Sequence, residues 1–529
     1  MKLNWNKLFT ASLLITATSI TGISHAFFSQ KSIVSQKSTV AQNDKQGSNQ
    51  PSELQKLTID NCHVKGIRQQ VQCGTLVTPE NYAKPNGENI NINFVVLPAI
   101  DNSKDKLPLM FLAGGPGQAA SELAGMLYAR FNEIRKTRDL ILIDQRGTGE
   151  SHPIKCEDVE DINPYSLLPE DLKLTDIEKC IGEFKGDLSQ YSSENAIRDF
   201  DAVRQALGHQ QVHIYGGSYG TRAGLVYMRM FPDSLKSVVL DSVGPIEVPI
   251  GLVGKSAEQS FDQLLVNCQT QASCAKQYPN IAKEFTAVKA KLANAPVSVT
   301  ISHPRLGTPT EFIISQDKFI SNIQMQLYGL PTRSLVPLVI HQAYLGDYKP
   351  LAGLISQAEG GMGVYLGLHF NIVCNEDLPK IDAQMKIENA DNNFAGAMAL
   401  DMVAKVCSVW PKYQPSSDFY QTVTANIPTL ILSGSLDPVT PPSNGEISHS
   451  HLPNSHHIVS KNNAHIVAST ACGVDIVNEF LEKQTPTELD ESCLKELPNE
   501  SFMIGLNGGA IVEDKLEITT DVSAQSDKE

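Results

Sequence analysis

The stretch Val212–Thr221 reads VHIYGGSYGT, and its Ser218 is the side chain best placed for covalent chemistry. A short β-prone run, VHIY, leads into Gly216-Gly217-Ser218-Tyr219-Gly220, and TRAGLVYMRMF follows with helical apolar spacing. Strand, G-x-S-x-G and helix in that order form a nucleophile elbow, a tight turn that lifts a serine hydroxyl above a sheet. A serine hydroxyl is a weak nucleophile at neutral pH, so it needs an adjacent base and a carboxylate to orient that base. The expected chain order is serine, acid, histidine. Asp437 stands in GSLDPVT directly after the apolar run TLILS, and His465 ends NNAH in a short loop before the last helical stretch. His456 and His457 are rival bases, but both fall inside the strand-like run HHIVS, where side chains point across a sheet. Acyl transfer also needs two N–H donors for the developing oxyanion, each worth about 3–4 kcal/mol in the transition state. Tyr219, the residue after the serine, supplies one. Gly115 in the loop Gly114-Gly115-Pro116-Gly117 is expected to supply the other, with Gly114 as the alternative. No Lys-Ser/Thr follows these glycines, so a phosphate-binding loop is excluded.

The elements that must hold these groups are apolar runs of strand length. Ile90–Val96 alternates, whereas Leu107–Ala113, Asp139–Ile143, Lys236–Asp241 and Thr429–Ser433 are continuous. Helical patterns separate them, among them Ala196–Gly208 and Ile466–Glu482. Continuous apolar strands alternating with helices predict an α/β fold, a mainly parallel sheet with helices on both faces. The stretch between Asp241 and Thr429 is too long for a simple crossover. Its helical patterns over Leu252–Leu292 and Asp317–Ala358 predict an inserted, mainly helical cap. The expected organisation is a core over 54–243, the cap over 244–420, a second part of the core over 421–505 and an acidic tail over 506–529.

Lys2 and Lys7, the apolar run Leu8–Ile23 and Ser24-His25-Ala26 together read as an export signal over 1–26, followed by a polar leader over 27–53. The apolar run is shorter than a membrane span, so no stable membrane anchor is expected. A net charge of −15 disfavours nucleic acid as a partner. The ten cysteines agree with an oxidising destination, periplasmic or extracellular. They fall into five near-neighbour pairs, and pairing within each is expected: Cys62–Cys73, Cys156–Cys180, Cys268–Cys274, Cys374–Cys407 and Cys472–Cys493. None has zinc-ligand spacing, so neither a metal nor another cofactor is expected.

GGPG after one strand, DQRGTGES after the next and then GGSYGT resemble the proline iminopeptidase and tripeptidyl aminopeptidase-like branch of the α/β-hydrolases. The sequence departs from that pattern at Ala113, where proline iminopeptidases carry a histidine, and at Ala464, where a glycine commonly precedes the histidine. The resemblance implies an α/β-hydrolase fold and a serine aminopeptidase acting on short peptides with a free N-terminus. A substrate ammonium taken out of water requires a carboxylate partner. The segment NIVCNEDLP resembles the family's Cys-x-acidic segment, which implies Glu376 for that role with Asp377 beside it. A carboxylic ester hydrolase using the same three residues is the alternative, and a non-catalytic binding protein on the same scaffold is a third.

Overall fold

The continuous apolar runs become the centre of one nine-stranded sheet. The computed structural model describes residues 56–101, 106–156, 172–302, 307–357, 363–391 and 393–509. The expected export signal, the leader and all but the first residues of the acidic tail lie outside them. The sheet's strands are β1 (Leu57–Cys62), β2 (Val71–Pro79), β3 (Asn89–Leu97), β4 (Leu109–Leu112), β5 (Leu140–Ile143), β6 (Val212–Gly217), β7 (Leu235–Asp241), β10 (Thr429–Gly434) and β11 (Ser455–Ser460). Two further strands, β8 (Val297–Ser302) and β9 (Pro309–Ile314), form a separate hairpin. The order across the sheet is β1-β2-β3-β5-β4-β6-β7-β10-β11. Pairing is antiparallel from β1 to β5 and parallel from β5 to β11.

Every residue of β4, β5, β6 and β10 is buried, as strands covered on both faces require. Their side chains alternate between two cores. Met110, Ile141, Ile214 and Ile431 pack with helices Ser193–Ala206 and Tyr219–Met230. Phe111, Leu142, Tyr215 and Leu432 pack on the other face with helices Ala124–Arg130 and Ala471–Lys483. The edge strand β1 keeps exposed residues at four of its positions, Thr58 to Asn61. Helix Ser193–Ala206 starts where Ser192 accepts the N–H of Asn195, a side-chain cap for an otherwise unpaired donor.

The insertion does not form one body. Helices Gly254–Thr270, Ile281–Asn294, Gln316–Gln326 and Val336–Tyr344 build a core of their own around Phe261, Phe285 and Phe319. The hairpin β8–β9 closes it. Its first strand alternates between half-buried and exposed residues, a two-residue period in a region whose pattern otherwise reads as helical. The later part of the insertion packs elsewhere: Phe370, Cys374, Cys407 and Trp410 pack with Leu172, Ile177 and Cys180, which precede helix Ser193–Ala206. Phe419, Val423 and Ile427 join the main core. The C-terminal end also departs from the expected boundary, since Phe502 packs in the cap core and Tyr278 donates to Met503 O at 2.7 Å.

The cysteines pair within each near-neighbour couple: Cys62–Cys73, Cys156–Cys180, Cys268–Cys274, Cys374–Cys407 and Cys472–Cys493. Five disulfides with no free cysteine suit a chain that folds in an oxidising environment. Among the described residues no helix is long and apolar enough to cross a membrane, and no group of His, Cys, Asp and Glu could hold a metal ion.

Arg333 and Glu500 tie the C-terminal segment to the cap through an ion pair at 2.5 Å, with both side chains out of solvent. Replacing Glu500 by Ala leaves the Arg333 guanidinium buried and uncompensated, and is expected to cost about 3–5 kcal/mol. A urea unfolding curve should show the midpoint fall with the slope unchanged.

Candidate active site

Ser218 sits between β6 and helix Tyr219–Met230 at φ 57° and ψ −124°, a backbone conformation unusual for a residue with a side chain. Strain of this kind persists only where the surroundings enforce it. Here the Ser218 N–H donates to Asp241 O at 3.0 Å, and the Thr221 N–H donates to Ser218 O at 2.9 Å. The flanking glycines are required by close approach. A Cβ on Gly216 would lie 2.3 Å from Gly220 O, and one on Gly220 would lie 2.1 Å from Leu112 O.

Asp437 follows β10 in a turn that its own carboxylate builds. Oδ1 accepts the N–H groups of Val439 and Thr440 at 3.0 and 2.9 Å. Oδ2 accepts the Thr440 hydroxyl at 2.8 Å and His465 Nδ1 at 2.8 Å. His465 is also held by its backbone, because its N–H donates to Tyr328 O of the cap at 3.1 Å. The Tyr328 ring packs edge-on against the imidazole at 5.2 Å. The loop after His465 is anchored on the end of β7: Val467 and Ala468 N–H donate to the Asp241 carboxylate at 2.8 and 2.9 Å, and Ile466 N–H donates to Ser242 Oγ at 2.8 Å.

The charges of the pair follow from competition between burial and attraction. Burial alone would pull the imidazole of His465 down, but the Asp437 carboxylate, its hydrogen bond and the nearby Asp241 outweigh burial and raise it above the ordinary value. Burial pushes the Asp437 carboxyl up, yet His465 and the Thr440 and Val439 donors hold it below the usual range. The result is an ionised carboxylate fixing the Nδ1–H tautomer, which leaves Nε2 as the acceptor.

Ser218 and His465 both line one cavity of about 1150 Å³, together with Gly114, Gly115 and Tyr328. No hydrogen bond joins the Ser218 hydroxyl to His465 in this structure; such contacts commonly tighten only when substrate is bound. The Gly114 N–H is committed to Gln118 Oε1 at 3.1 Å. The N–H groups of Gly115 and Tyr219 meet no acceptor among the described residues.

The chain carries a match to the α/β hydrolase fold family over residues 108–256 and to the TAP-like protein family over 392–493. The first segment holds Ser218 and the second holds Asp437 and His465. The chain has the α/β-hydrolase fold. The chain is similar to serine protease Hip1 of Mycobacterium tuberculosis, 25% identical over 433 residues that cover 74% of this chain and 81% of that protein. It is similar to tripeptidyl aminopeptidase of Streptomyces lividans, 31% identical over 192 residues covering 33% of this chain and 35% of that one. A proline iminopeptidase of Aeromonas sobria is 31% identical over 167 residues, 30% of this chain and 33% of its own. Relatives of this kind support a serine hydrolase.

The two rival histidines lie away from Ser218. His456 faces Glu491 at 2.8 Å, and His457 contacts Ser433 Oγ at 2.9 Å. The acidic pair of the cap does not reach the cavity as expected. A π-helical turn over Val373–Asp377 points both carboxylates inward. Glu376 accepts Ser193 N–H at 2.8 Å, Ser193 Oγ at 2.5 Å and Tyr413 OH at 3.0 Å. Burial pushes its carboxyl up to about 7 against those donors. Asp377 pairs with Arg222 at 2.5 Å. A carboxylate out of water takes whatever donors the fold offers, and the fold satisfies Glu376 before a substrate could.

Three supporting residues went unassigned in the sequence: Thr440, Asp241 and Tyr328. The Asp-x-x-Thr spacing that lets Thr440 cap Asp437 is a local signal and was legible. Asp241 ending an apolar strand is a weaker one, and Tyr328 has none. Replacing Asp437 by Asn is expected to lower turnover of an activated ester about 10⁴-fold. Without the carboxylate the downward pull of burial on His465 is opposed only by Asp241, so the acid limb of the kcat/KM profile should move to lower pH.

Proposed function

We propose that this protein is an exported serine aminopeptidase that removes residues from the free N-termini of short peptides. The observation that carries the reading is the buried Asp437–His465 pair opening on the same cavity as the elbow Ser218. Ser218 Oγ attacks the substrate carbonyl carbon as His465 Nε2 takes its proton. The carbonyl oxygen gathers charge against the N–H groups of Tyr219 and Gly115. The imidazolium, held by Asp437, then gives the proton to the leaving amine. Water repeats the sequence on the acyl-enzyme and frees Ser218. Kinship to proteins named tripeptidyl aminopeptidase and proline iminopeptidase supports the peptide class, and the five disulfides support export.

Amine recognition falls to the cavity rim in this reading. Glu122 and Glu150 are the carboxylates that line the Ser218 cavity, and the Glu122 Oε1 atom is oriented by Tyr365 OH at 2.7 Å. The apolar wall of Val95, Phe111, Leu127 and Phe131 also suits the acyl chain of an ester, which keeps carboxylic ester hydrolysis as the second reading.

A fluorophosphonate should label the wild-type protein and leave Ser218→Ala unlabelled. Peptides with free N-termini should be cleaved well above their N-acetylated forms, and Glu122→Gln should raise KM for the free peptides alone. Equal cleavage of both peptide forms would reject amine recognition, and cleavage of simple esters without peptides would favour the second reading.

A further inference from the structure

One stretch of the insertion, Val364–Asp377, reaches both segments that carry the expected oxyanion donors, the Gly115 loop directly and Tyr219 through Ser193. On the first side, Val364 forms a β-bridge with Gln118, and Tyr365 N–H donates to Gly117 O at 2.8 Å. His369 Nδ1 donates to Pro116 O at 3.1 Å, the peptide next to Gly115. Burial pulls the His369 imidazole down, which keeps it neutral with the proton on the donating nitrogen. Gly117 must be glycine for this contact: at φ 107° a Cβ would lie 2.8 Å from Tyr365 O.

On the second side the contact runs through hydroxyls. Glu376 Oε2 accepts from Ser193 Oγ at 2.5 Å, so Ser193 is free to accept the Tyr219 phenol at 2.7 Å. Gln145 Nε2 donates to the same phenol at 3.4 Å. Donors thus point one way, Gln145 to Tyr219 to Ser193 to Glu376, and such chains strengthen one another in a buried setting. Asp377 adds a grip on Arg222, one helical turn beyond Ser218. His369, Ser193, Glu376 and Asp377 do not line the Ser218 cavity, so their role is to position rather than to react.

We propose that Val364–Asp377 is the positioning element of the oxyanion hole, with His369 holding the Gly115 segment and Glu376, through Ser193, holding Tyr219. The inference rests on the serine-hydrolase reading of Ser218. Its consequence is that a cap segment sets the geometry of both donors, and a displacement of about 1 Å there weakens catalysis without changing what binds.

The test uses the whole protein and two independent anchors, His369→Gln and Ser193→Ala, with Glu376→Gln as a third variant. Active enzyme is titrated with a fluorophosphonate, and kcat and KM are measured on an activated ester and on the matching thionoester. The expected result is a fall of about 10-fold or more in kcat per titrated site for the oxygen ester, with KM within about 2-fold. The preference for the oxygen ester over the thionoester should shrink, because a thiocarbonyl sulfur draws little from N–H donors. Variants that lose thermal stability yet keep kcat per site and the oxygen-to-sulfur ratio would overturn the proposal. A wild-type Ser218 that takes no fluorophosphonate would instead overturn the serine reading, and this inference with it.

Discussion

Parallel strands all end on the same side of a sheet, and this constraint organises the molecule. Six neighbouring strands, β5, β4, β6, β7, β10 and β11, run parallel, so the loops that follow them gather along one edge. That edge receives the glycine loop after β4, the elbow after β6, Asp241 at the end of β7, Asp437 after β10 and His465 after β11. Ligands of open α/β sheets lie outside the carboxyl ends of the strands for the same reason. Residues far apart in sequence need no long-range design to meet there. Their distance along the sheet is set by strand order alone.

Once gathered, the groups are held by charge and by backbone donors. The edge is buried, so each carboxylate must find partners or become neutral. Asp437 finds His465 and two backbone N–H groups, and stays ionised. Asp241 accepts two N–H groups and the Tyr215 hydroxyl at 2.7 Å, yet burial still pushes its carboxyl up. Glu376 shows the same balance with hydroxyl donors. Similar side chains are therefore shifted in opposite directions, and their partners rather than the residue type decide which.

The insertion contributes in two ways. Its first part builds a separate core and lays Tyr328 against His465. Its later part packs on the main fold and reaches the glycine loop and Tyr219. The Cys374–Cys407 disulfide, with Cα atoms 5.2 Å apart, lies at the π-helical turn that carries Glu376 and Asp377. Placement of the active edge is thus shared between the sheet below and the insertion above.

What the sequence determined by itself was local. The elbow glycines and the apolar strand runs are short-range patterns that follow from the geometry of a single turn or strand, whereas the serine–acid–histidine order and the cysteine pairs were legible from their order and spacing along the chain. Tertiary structure decided everything that depends on which surfaces meet. Whether Glu376 faces a substrate or Ser193 depends on how a π-helical turn docks against a distant helix start, and the motif around it is the same in either case. The hairpin β8–β9, the return of Phe502 to the cap and the contact of Tyr328 with His465 are likewise set by packing between segments remote in sequence. Periodicity records which face of an element is buried, but not what buries it.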